Sequence, residues 1–261
     1  METVTSRDGT RIAYEISGAG EPLLLVHGVS SDHTVWVSVL PLLSSRLRVY
    51  AMDRRGRGGS GDHSSYSIEQ EAEDLVAVIN AIGEPVSLLG HSFGGLCALE
   101  AALRTNHLSK LIVYEPSVPT VYDYWPESLR VKMQSFMAAG EPEKALASFY
   151  LDIVKVHPQQ IEQMRLLPTW QSKLTIIHTI QRELEALGAF TLDPKRYAHV
   201  QVPTLLLVGG NSPPHREVGI SLLRSIIPRA QVIVLEGQGH FAHQTAPELF
   251  SRVITDFLSR G

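Results

Sequence analysis

Short, continuous apolar runs that alternate with longer amphipathic stretches constrain the fold of this chain more than any other feature. The runs are Leu23–Val26, Val49–Met52, Val86–Leu89, Leu111–Tyr114, Leu205–Val208 and Val232–Leu235. A strand that is apolar at successive positions has both faces buried, which is typical of a parallel sheet covered by helices. The intervening stretches are long enough for crossover helices, as at Ile68–Ile82, Gly94–Arg104 and Glu217–Ile227. The alternation predicts an α/β fold.

The two ends and the middle of the chain depart from this alternation. Residues Glu2 to Ser17 break at Asp8-Gly9, a dipeptide suited to a hairpin turn, so an antiparallel pair should open the fold. From about residue 117 to residue 200, helix-like segments replace the strands and predict a helical cap. A last helix is predicted over Pro247–Leu258. We expect one domain, with a core of residues 1–116 and 201–261 and a cap of residues 117–200.

The charge balance and the first residues argue against several classes of protein. Lys and Arg number 23 against 27 Asp and Glu, without a long basic run, which argues against a nucleic-acid partner. The N-terminal segment is polar and turn-rich, unlike a signal peptide or a membrane span. We therefore expect a cytoplasmic protein with no membrane span. The single cysteine, Cys97, lies in an apolar stretch and is expected to be buried.

The strongest motif for chemistry is Gly90-His91-Ser92-Phe93-Gly94-Gly95, which joins a predicted strand to a predicted helix. It is a G-x-S-x-G pattern in the strand–turn–helix context that holds such a serine at a sharp turn with its hydroxyl presented outward. The small residues Gly90 and Gly94 let neighbouring backbone approach closely. Ser92 is therefore a candidate nucleophile. The alternative is a glycine-rich turn without a catalytic role.

A serine nucleophile needs a base to remove its proton, and histidine has a suitable pKa. Of the 11 histidines, His240 follows the last predicted strand in the glycine-flanked segment Glu236–Phe241 and comes after the serine in the chain. This placement favours His240 over His243. Most of the other histidines are expected to be exposed or to belong to the cap.

Acyl transfer also needs two backbone N–H groups directed at the developing oxyanion. The amide of Phe93, directly after the serine, and the amide of Val29, in the turn after a predicted strand, are the candidates. His27, in the same turn, is expected to support the loop rather than to act as a base.

Together these segments resemble the α/β-hydrolase superfamily over nearly the whole chain. The likeness includes the His27-Gly28 turn, the segment Asp53–Ser60 after the fourth predicted strand, the Ser92 motif and the His240 loop. The resemblance implies an eight-stranded, mostly parallel sheet with flanking helices, a helical cap over the carboxyl ends of the strands, and neither a metal nor an organic cofactor. Asp53 and Arg54 are expected to form a structural ion pair or a loop anchor.

The sequence departs from the superfamily at the acidic residue. Members usually carry Asp or Glu in the loop after the seventh strand, but residues 206–214 contain no carboxylate. Glu115 follows the sixth predicted strand, the other position that the superfamily uses, in a segment similar to that of fungal zearalenone-type lactonases. Glu115 is our candidate for the third member of the triad. The alternative is a structural role for Glu115, with the catalytic partner of the histidine among Asn211, Ser212 and Asp123.

The three residues predict a serine hydrolase that cleaves a carboxylic ester or a lactone through an acyl-enzyme. Hydrolysis of a carbon–carbon bond, cofactor-free perhydrolysis and a weakly active ligand-binding module stay open as alternatives. Aromatic residues of the predicted cap either line a pocket for an uncharged, apolar small molecule or form the core of the cap: Tyr122, Tyr124, Trp125 and Trp170. The sequence leaves the oligomeric state open.

Overall fold

The strands of the structure, a computed structural model that describes residues 1–119 and 121–260, form one mixed sheet. In chain order they are β1 (Glu2–Thr5), β2 (Arg11–Ser17), β3 (Pro22–Val26), β4 (Arg48–Met52), β5 (Val86–His91), β6 (Leu108–Tyr114), β7 (Thr204–Gly209) and β8 (Ala230–Leu235). They lie in the order β1-β2-β4-β3-β5-β6-β7-β8. β2 is antiparallel to both of its neighbours, whereas the pairs from β3–β4 to β7–β8 are parallel. The eight-stranded, mostly parallel sheet is thereby confirmed.

The α-helices of the described residues include the crossover helices that the sequence predicts. In chain order they are α1 (Leu40–Ser44), α2 (Ile68–Ile82), α3 (Phe93–Ala102), α4 (Glu127–Ala138), α5 (Pro142–Phe149), α6 (Pro158–Arg165), α7 (Pro168–Thr175), α8 (Ile177–Ala189), α9 (Pro194–Tyr197), α10 (Pro214–Ile226), α11 (Ala242–Thr245) and α12 (Pro247–Leu258). A 3-10 turn covers His33–Trp36 and a π-helical turn covers Tyr150–Val154. The predicted bounds of α2 and α12 agree with the structure. None of the described helices has the length and apolarity that a bilayer crossing demands.

The central strands are buried on both faces, as their apolar sequences predict. Every residue of β3, β5 and β7 is buried, and separate hydrophobic clusters cover the two faces of the sheet. The expectation is wrong for β8, where Val232 and Val234 are 39% and 45% exposed. β8 lies at the edge of the sheet, so one face of it has no complete helical cover.

The helices α4–α9, here called the helical insertion (residues 127–197), lie between β6 and β7 in the chain. Their buried residues, including Leu146, Trp170 and Ile180, belong to the same hydrophobic cluster as one face of the sheet. The helical insertion also contacts the loops that follow β3 and β4. Tyr150 bonds Ser30, and Arg182 pairs with Asp62. It therefore packs toward the edge of the sheet at which the parallel strands end.

Candidate active site

Ser92 lies at a sharp turn between β5 and α3, with φ 55° and ψ −120°. Its amide donates to the carbonyl of Tyr114 at 2.9 Å, and its carbonyl accepts from the amide of Ser117 at 3.0 Å. Two glycines make the turn possible, because a Cβ on Gly94 would overlap the carbonyl of His27 and a Cβ on Gly90 would overlap the carbonyl of Gly94. The backbone thus holds the serine beside the end of β6, which carries the predicted acid.

His240 and Glu115 form a direct hydrogen bond. The distance from His240 Nδ1 to Glu115 Oε2 is 2.5 Å, and both side chains are buried. The hydroxyl of Tyr114 donates to the carbonyl of Gly239 and accepts from the amide of Ala242, so it holds the chain on both sides of the histidine. A bond at Nδ1 leaves Nε2 of His240 as the nitrogen that is free to accept a proton.

The carboxylate of Glu115 is held by groups of the loop after β7. Its Oε1 accepts from the amide of Gly209 at 2.8 Å and from the hydroxyl of Ser212. Arg216 donates to the carbonyl of Glu115 at 3.1 Å, and its Nε lies 3.9 Å from Oε2. Burial raises the pKa of the Glu115 carboxyl, while the Arg216 charge and the bonds from Ser212 and Gly209 oppose that rise.

Burial lowers the pKa of His240 well below its usual value, and the nearby Arg216 charge lowers it further. His240 is therefore a neutral imidazole near pH 7, the form that accepts a proton. Ser92 and His240 are 7% and 9% exposed, whereas Glu115 is fully covered. In the described part of the chain, Ser92 Oγ and His240 form no hydrogen bond. The ring of His91 lies 4.5 Å from that of His240.

The two predicted oxyanion amides belong to the turn around Ser92 and to the loop after β3, residues 27–32. Phe93 is the first residue of α3, where helical amides lack an intrahelical acceptor. Within residues 1–119 and 121–260, neither this amide nor that of Val29 donates to a backbone carbonyl. A Cβ built on Gly28 would lie 3.0 Å from Cβ of Ser92, so the β3 loop passes close to the serine.

The four aromatic residues predicted to line a pocket separate into two groups. Trp170 is 1% exposed and stacks on Tyr150 inside the helical insertion. Tyr122, Tyr124 and Trp125 border a groove of 870 Å³ together with Phe190. The hydroxyl of Tyr124 lies 3.4 Å from Nη1 of Arg216, which also contacts Glu115.

The alternative partners for the histidine lie elsewhere. The Asn211 side chain donates to the carbonyl of Gly237, and the Asp123 carboxylate accepts from the amide of Trp125. Ser212 contacts Glu115 rather than the imidazole. Sequence reasoning did not find Arg216 or the supporting role of Ser212, because neither lies in a motif and both reach Glu115 only through the packing of β7 against β6.

The segment after β4 anchors loops, as expected for Asp53 and Arg54, although the two do not pair with each other. Asp53 accepts from the amide and Nδ1 of His33 and from the amide of Gly59. Arg54 pairs with Glu71 and with Glu183 of α8. Oxygen and nitrogen atoms of Asp32, His33 and Asp53 lie within 4.8 Å of one another. Asp53 bonds His33, and Asp32 accepts from the amide of Thr34, so hydrogen bonds within the protein account for this cluster.

The chain matches the alpha/beta hydrolase family over residues 23–253. A solved alpha/beta hydrolase from Sphaerobacter thermophilus has a TM-score of 0.87 and 33% identity, covering 99% of this chain and 100% of that one. An N-formylmaleamate deformylase of Pseudomonas putida is 28% identical over 97% of this chain and 94% of its own length. A pimeloyl-[acyl-carrier protein] methyl ester esterase of Aeromonas hydrophila is 26% identical, with 95% and 99% coverage. Other relatives are longer, and the chain spans 48% of their length.

Proposed function

The chain belongs to the alpha/beta hydrolase family, and we propose that within this family it is a serine hydrolase that cleaves a carboxylic ester or a lactone of an apolar small molecule. The observation that carries the proposal is the pairing of His240 with Glu115 beside a serine held at positive φ. A neutral, oriented imidazole next to a strained serine is the arrangement that activates a hydroxyl for attack on a carbonyl.

In the proposed reaction, His240 Nε2 takes the proton of Ser92 as Oγ attacks the substrate carbonyl carbon. The amides of Val29 and Phe93 donate to the resulting oxyanion. When this intermediate collapses, the alkoxide leaves and receives the proton from His240. The acyl group stays bound to Ser92 Oγ. Water, which gives a proton to the same histidine, then attacks the acyl carbon. The bond from this carbon to Ser92 Oγ breaks, Oγ takes the proton back from His240, and the acid is released. Glu115 holds the imidazole and stabilises its positive charge in both steps.

Aromatic side chains in the groove between residues 121–125 and the end of α8 favour an apolar part of the substrate, although Asp123 and Glu185 also line this groove. Its walls include Tyr122, Tyr124, Trp125 and Phe190, and it has a volume of 870 Å³. Tyr124 links the groove to Arg216, the residue beside Glu115. We propose that the helical insertion is a cap and that this groove guides the substrate toward Ser92. A relative named as a methyl ester esterase supports an ester as the substrate class.

The first test compares wild type with Ser92→Ala on p-nitrophenyl esters of increasing acyl length and on a resorcylic macrolactone. We expect wild type to turn over at least one of them and Ser92→Ala to lose about 10⁶-fold in turnover. Ser148→Ala is the matched control, since Ser148 is buried and its hydroxyl bonds only a helical carbonyl within the described residues. Reaction with a fluorophosphonate, followed by peptide mapping, should place the label on Ser92.

The products distinguish the remaining possibilities. Ring opening of the macrolactone by wild type and not by Ser92→Ala assigns a lactonase, whereas cleavage of aryl esters alone assigns an esterase. Equal turnover by wild type and Ser92→Ala would refute the proposed nucleophile. Labelling of Ser92 without turnover of any ester would favour a carbon–carbon bond hydrolase, and slow labelling without turnover would favour a ligand-binding module.

A further inference from the structure

We propose that Arg54 is a positioning residue for the oxyanion hole and that Glu183, on α8, couples the helical insertion to it. This inference rests on the proposed function, because it concerns the amides assigned there to the oxyanion. It gives a role to a buried charge network that the reaction itself does not use.

Arg54 contacts the peptide group whose N–H is the candidate donor. Its Nη1 donates to the carbonyl of Gly28 at 3.1 Å. The carbonyl of Gly28 and the amide of Val29 belong to one planar trans peptide, so the C=O bond and the N–H bond point in opposite directions within the same plane. Fixing the carbonyl oxygen therefore fixes the direction of the Val29 N–H. Donation to the oxygen also polarises the peptide and strengthens its N–H as a donor.

His27 provides a second donor to the same oxygen. Its Nε2 accepts from the amide of Arg54 at 3.1 Å, so the ring proton resides on Nδ1. Nδ1 in turn donates to the carbonyl of Gly28 at 2.9 Å. Burial lowers the pKa of His27 well below its usual value, which agrees with a neutral ring. The Gly28 oxygen is thus held from two directions by residues of two loops.

The guanidinium of Arg54 also contacts the second half of the oxyanion site. Its Cζ lies 4.4 Å from the centre of the Phe93 ring, which is within the range of a cation–π contact. The Arg54 side chain therefore contacts both candidate donors: the ring of Phe93 and the peptide that carries the Val29 amide. Arg54 is fully buried, so these contacts are shielded from solvent.

Carboxylates on both sides hold Arg54 in place. Glu71 of α2 accepts from Nε at 3.0 Å and from Nη2 at 2.7 Å. Glu183 of the helical insertion accepts from Nη2 at 2.6 Å and also from Arg57 at 2.8 Å. All four side chains are buried, and two positive charges face two negative charges. Removing one charge would leave another unpaired, so the position of α8 and the position of Arg54 depend on each other.

The helical insertion holds the other side of the β3 loop as well. Lys173 of α7 donates to the carbonyl of Ser30 at 2.6 Å, and the Tyr150 hydroxyl shares a hydrogen bond of 2.8 Å with that of Ser30. Ser30 has a positive φ of 58° and directly follows Val29. The helical insertion is therefore bound to both sides of Val29. It reaches the Gly28–Val29 peptide through Glu183 and Arg54, and it contacts Ser30 directly.

The experiment measures kcat and KM for p-nitrophenyl butyrate with the full chain, together with inhibition by phenylboronic acid, whose tetrahedral adduct places an oxygen in the oxyanion hole. Removing an oxyanion donor typically costs 10²–10³ in kcat, so misdirecting one in Arg54→Met should cost about 10- to 100-fold, with KM changed less than about threefold. Inhibition by the boronic acid should weaken in the same proportion. Glu183→Gln, which keeps an oxygen acceptor, should lower kcat by about 3- to 10-fold.

Arg55 and Asp74 provide matched controls in the same region. Arg55 is also buried, pairs with Asp74 and has no contact with the β3 loop among the described residues. Arg55→Met and Asp74→Asn should lower stability but leave kcat within about twofold of wild type. If Arg54→Met does not fold, the kcat of Glu183→Gln is compared with that of Asp74→Asn. A loss of kcat in Glu183→Gln alone then supports the inference.

Three results would overturn the inference. The first is an unchanged kcat in Arg54→Met or Glu183→Gln, the second is a change confined to KM, and the third is an equal loss of kcat in the control variants. These results differ from failure of the proposed function, in which wild type itself would not cleave the ester or Ser92→Ala would match it. Wild-type turnover that depends on Ser92 but not on Arg54 would therefore refute the positioning role alone.

Discussion

Three of the non-glycine residues that have positive φ border the candidate site. They are Ser30 at 58°, Ser92 at 55° and Glu115 at 44°, and each follows a strand of the parallel sheet or belongs to the loop after it. Such conformations cost about 1–3 kcal/mol each and persist only where surrounding contacts impose them. Here the contacts are backbone bonds from Ser92 to Tyr114 and Ser117, and the bonds of Glu115 to the β7 loop. Two of the three, Ser92 and Glu115, are residues to which we assign chemistry, and Ser30 directly follows the candidate oxyanion residue Val29.

Replacement of Glu115 by Gln tests the assignment of the acid. Glutamine keeps the size of the side chain but removes its charge and can present an N–H to Nδ1, which would favour the wrong imidazole tautomer. We expect kcat for an aryl ester to fall by about 10³- to 10⁴-fold, as neutralisation of a triad acid does elsewhere. The measurement is steady-state turnover at pH 7.5, where His240 is neutral.

Asn211→Ala is the control for this prediction, because Asn211 occupies the loop in which the superfamily usually carries the acid. Its amide contacts Gly237, so its loss should change kcat by less than about threefold. Near-normal turnover by Glu115→Gln, or a large loss in Asn211→Ala, would contradict the assignment of Glu115.

Among the strands and helices, the sequence predicts those features that depend on local pattern. Continuous apolar runs predict the central strands, and Asp8-Gly9 predicts the opening hairpin, in which Gly9 has φ 89°. The edge position of β8 is not visible in its sequence, because Val232–Leu235 is as apolar as a central run. The contacts of Glu183 with Arg54 and Arg57 also escape local reasoning, since they join residues more than 120 positions apart.

The aromatic residues that the sequence leaves as either core or pocket residues divide into the core residue Trp170 and the groove residues Tyr122, Tyr124 and Trp125. Trp170→Ala removes a buried ring that stacks on Tyr150, and large-to-small changes of this kind cost about 3–5 kcal/mol. Trp125 borders the groove and contacts Gly188, so Trp125→Ala should cost less than about 2 kcal/mol but raise KM for apolar esters. Urea unfolding and steady-state kinetics measure the two effects.

A large rise in KM without loss of stability in Trp170→Ala would contradict this division of roles. Unchanged KM in Trp125→Ala for esters of every chain length would argue against the groove as the path of the substrate. Tyr122 offers a second probe of the groove, because its ring stacks on His215 at 4.0 Å.

Several buried histidines make the stability of the whole protein sensitive to acid. Burial lowers the pKa of His27, His91 and His240 well below the usual value, and that of His243 from 6.5 to about 3. The folded state keeps these rings neutral, whereas the unfolded chain binds protons below about pH 6.5. Stability is therefore fully present above that pH and falls as the pH drops toward the folded pKa values. Asp74 acts in the opposite sense, because burial raises its pKa to about 6.

His243 isolates this effect from catalysis. It is fully buried among Trp36, His91 and Phe250, and neither of its ring nitrogens has a hydrogen-bond partner in the described residues. His243→Phe removes the titrating group, so this variant does not lose the stability that wild type loses when the unfolded chain binds a proton at His243. As the pH falls from 6 to 4, the free energy of unfolding of His243→Phe minus that of wild type should rise by about 1.4 kcal/mol per pH unit. A packing penalty from the larger ring would shift this difference by a constant and would not change its slope. Urea unfolding at pH 7.5, 6.5, 5.5 and 4.5 measures it, with His107→Gln as the control for the loss of an exposed histidine. A difference between His243→Phe and wild type that stays constant with pH would show that His243 is not held neutral by burial, and the acid sensitivity would then have to come from the histidines next to Ser92.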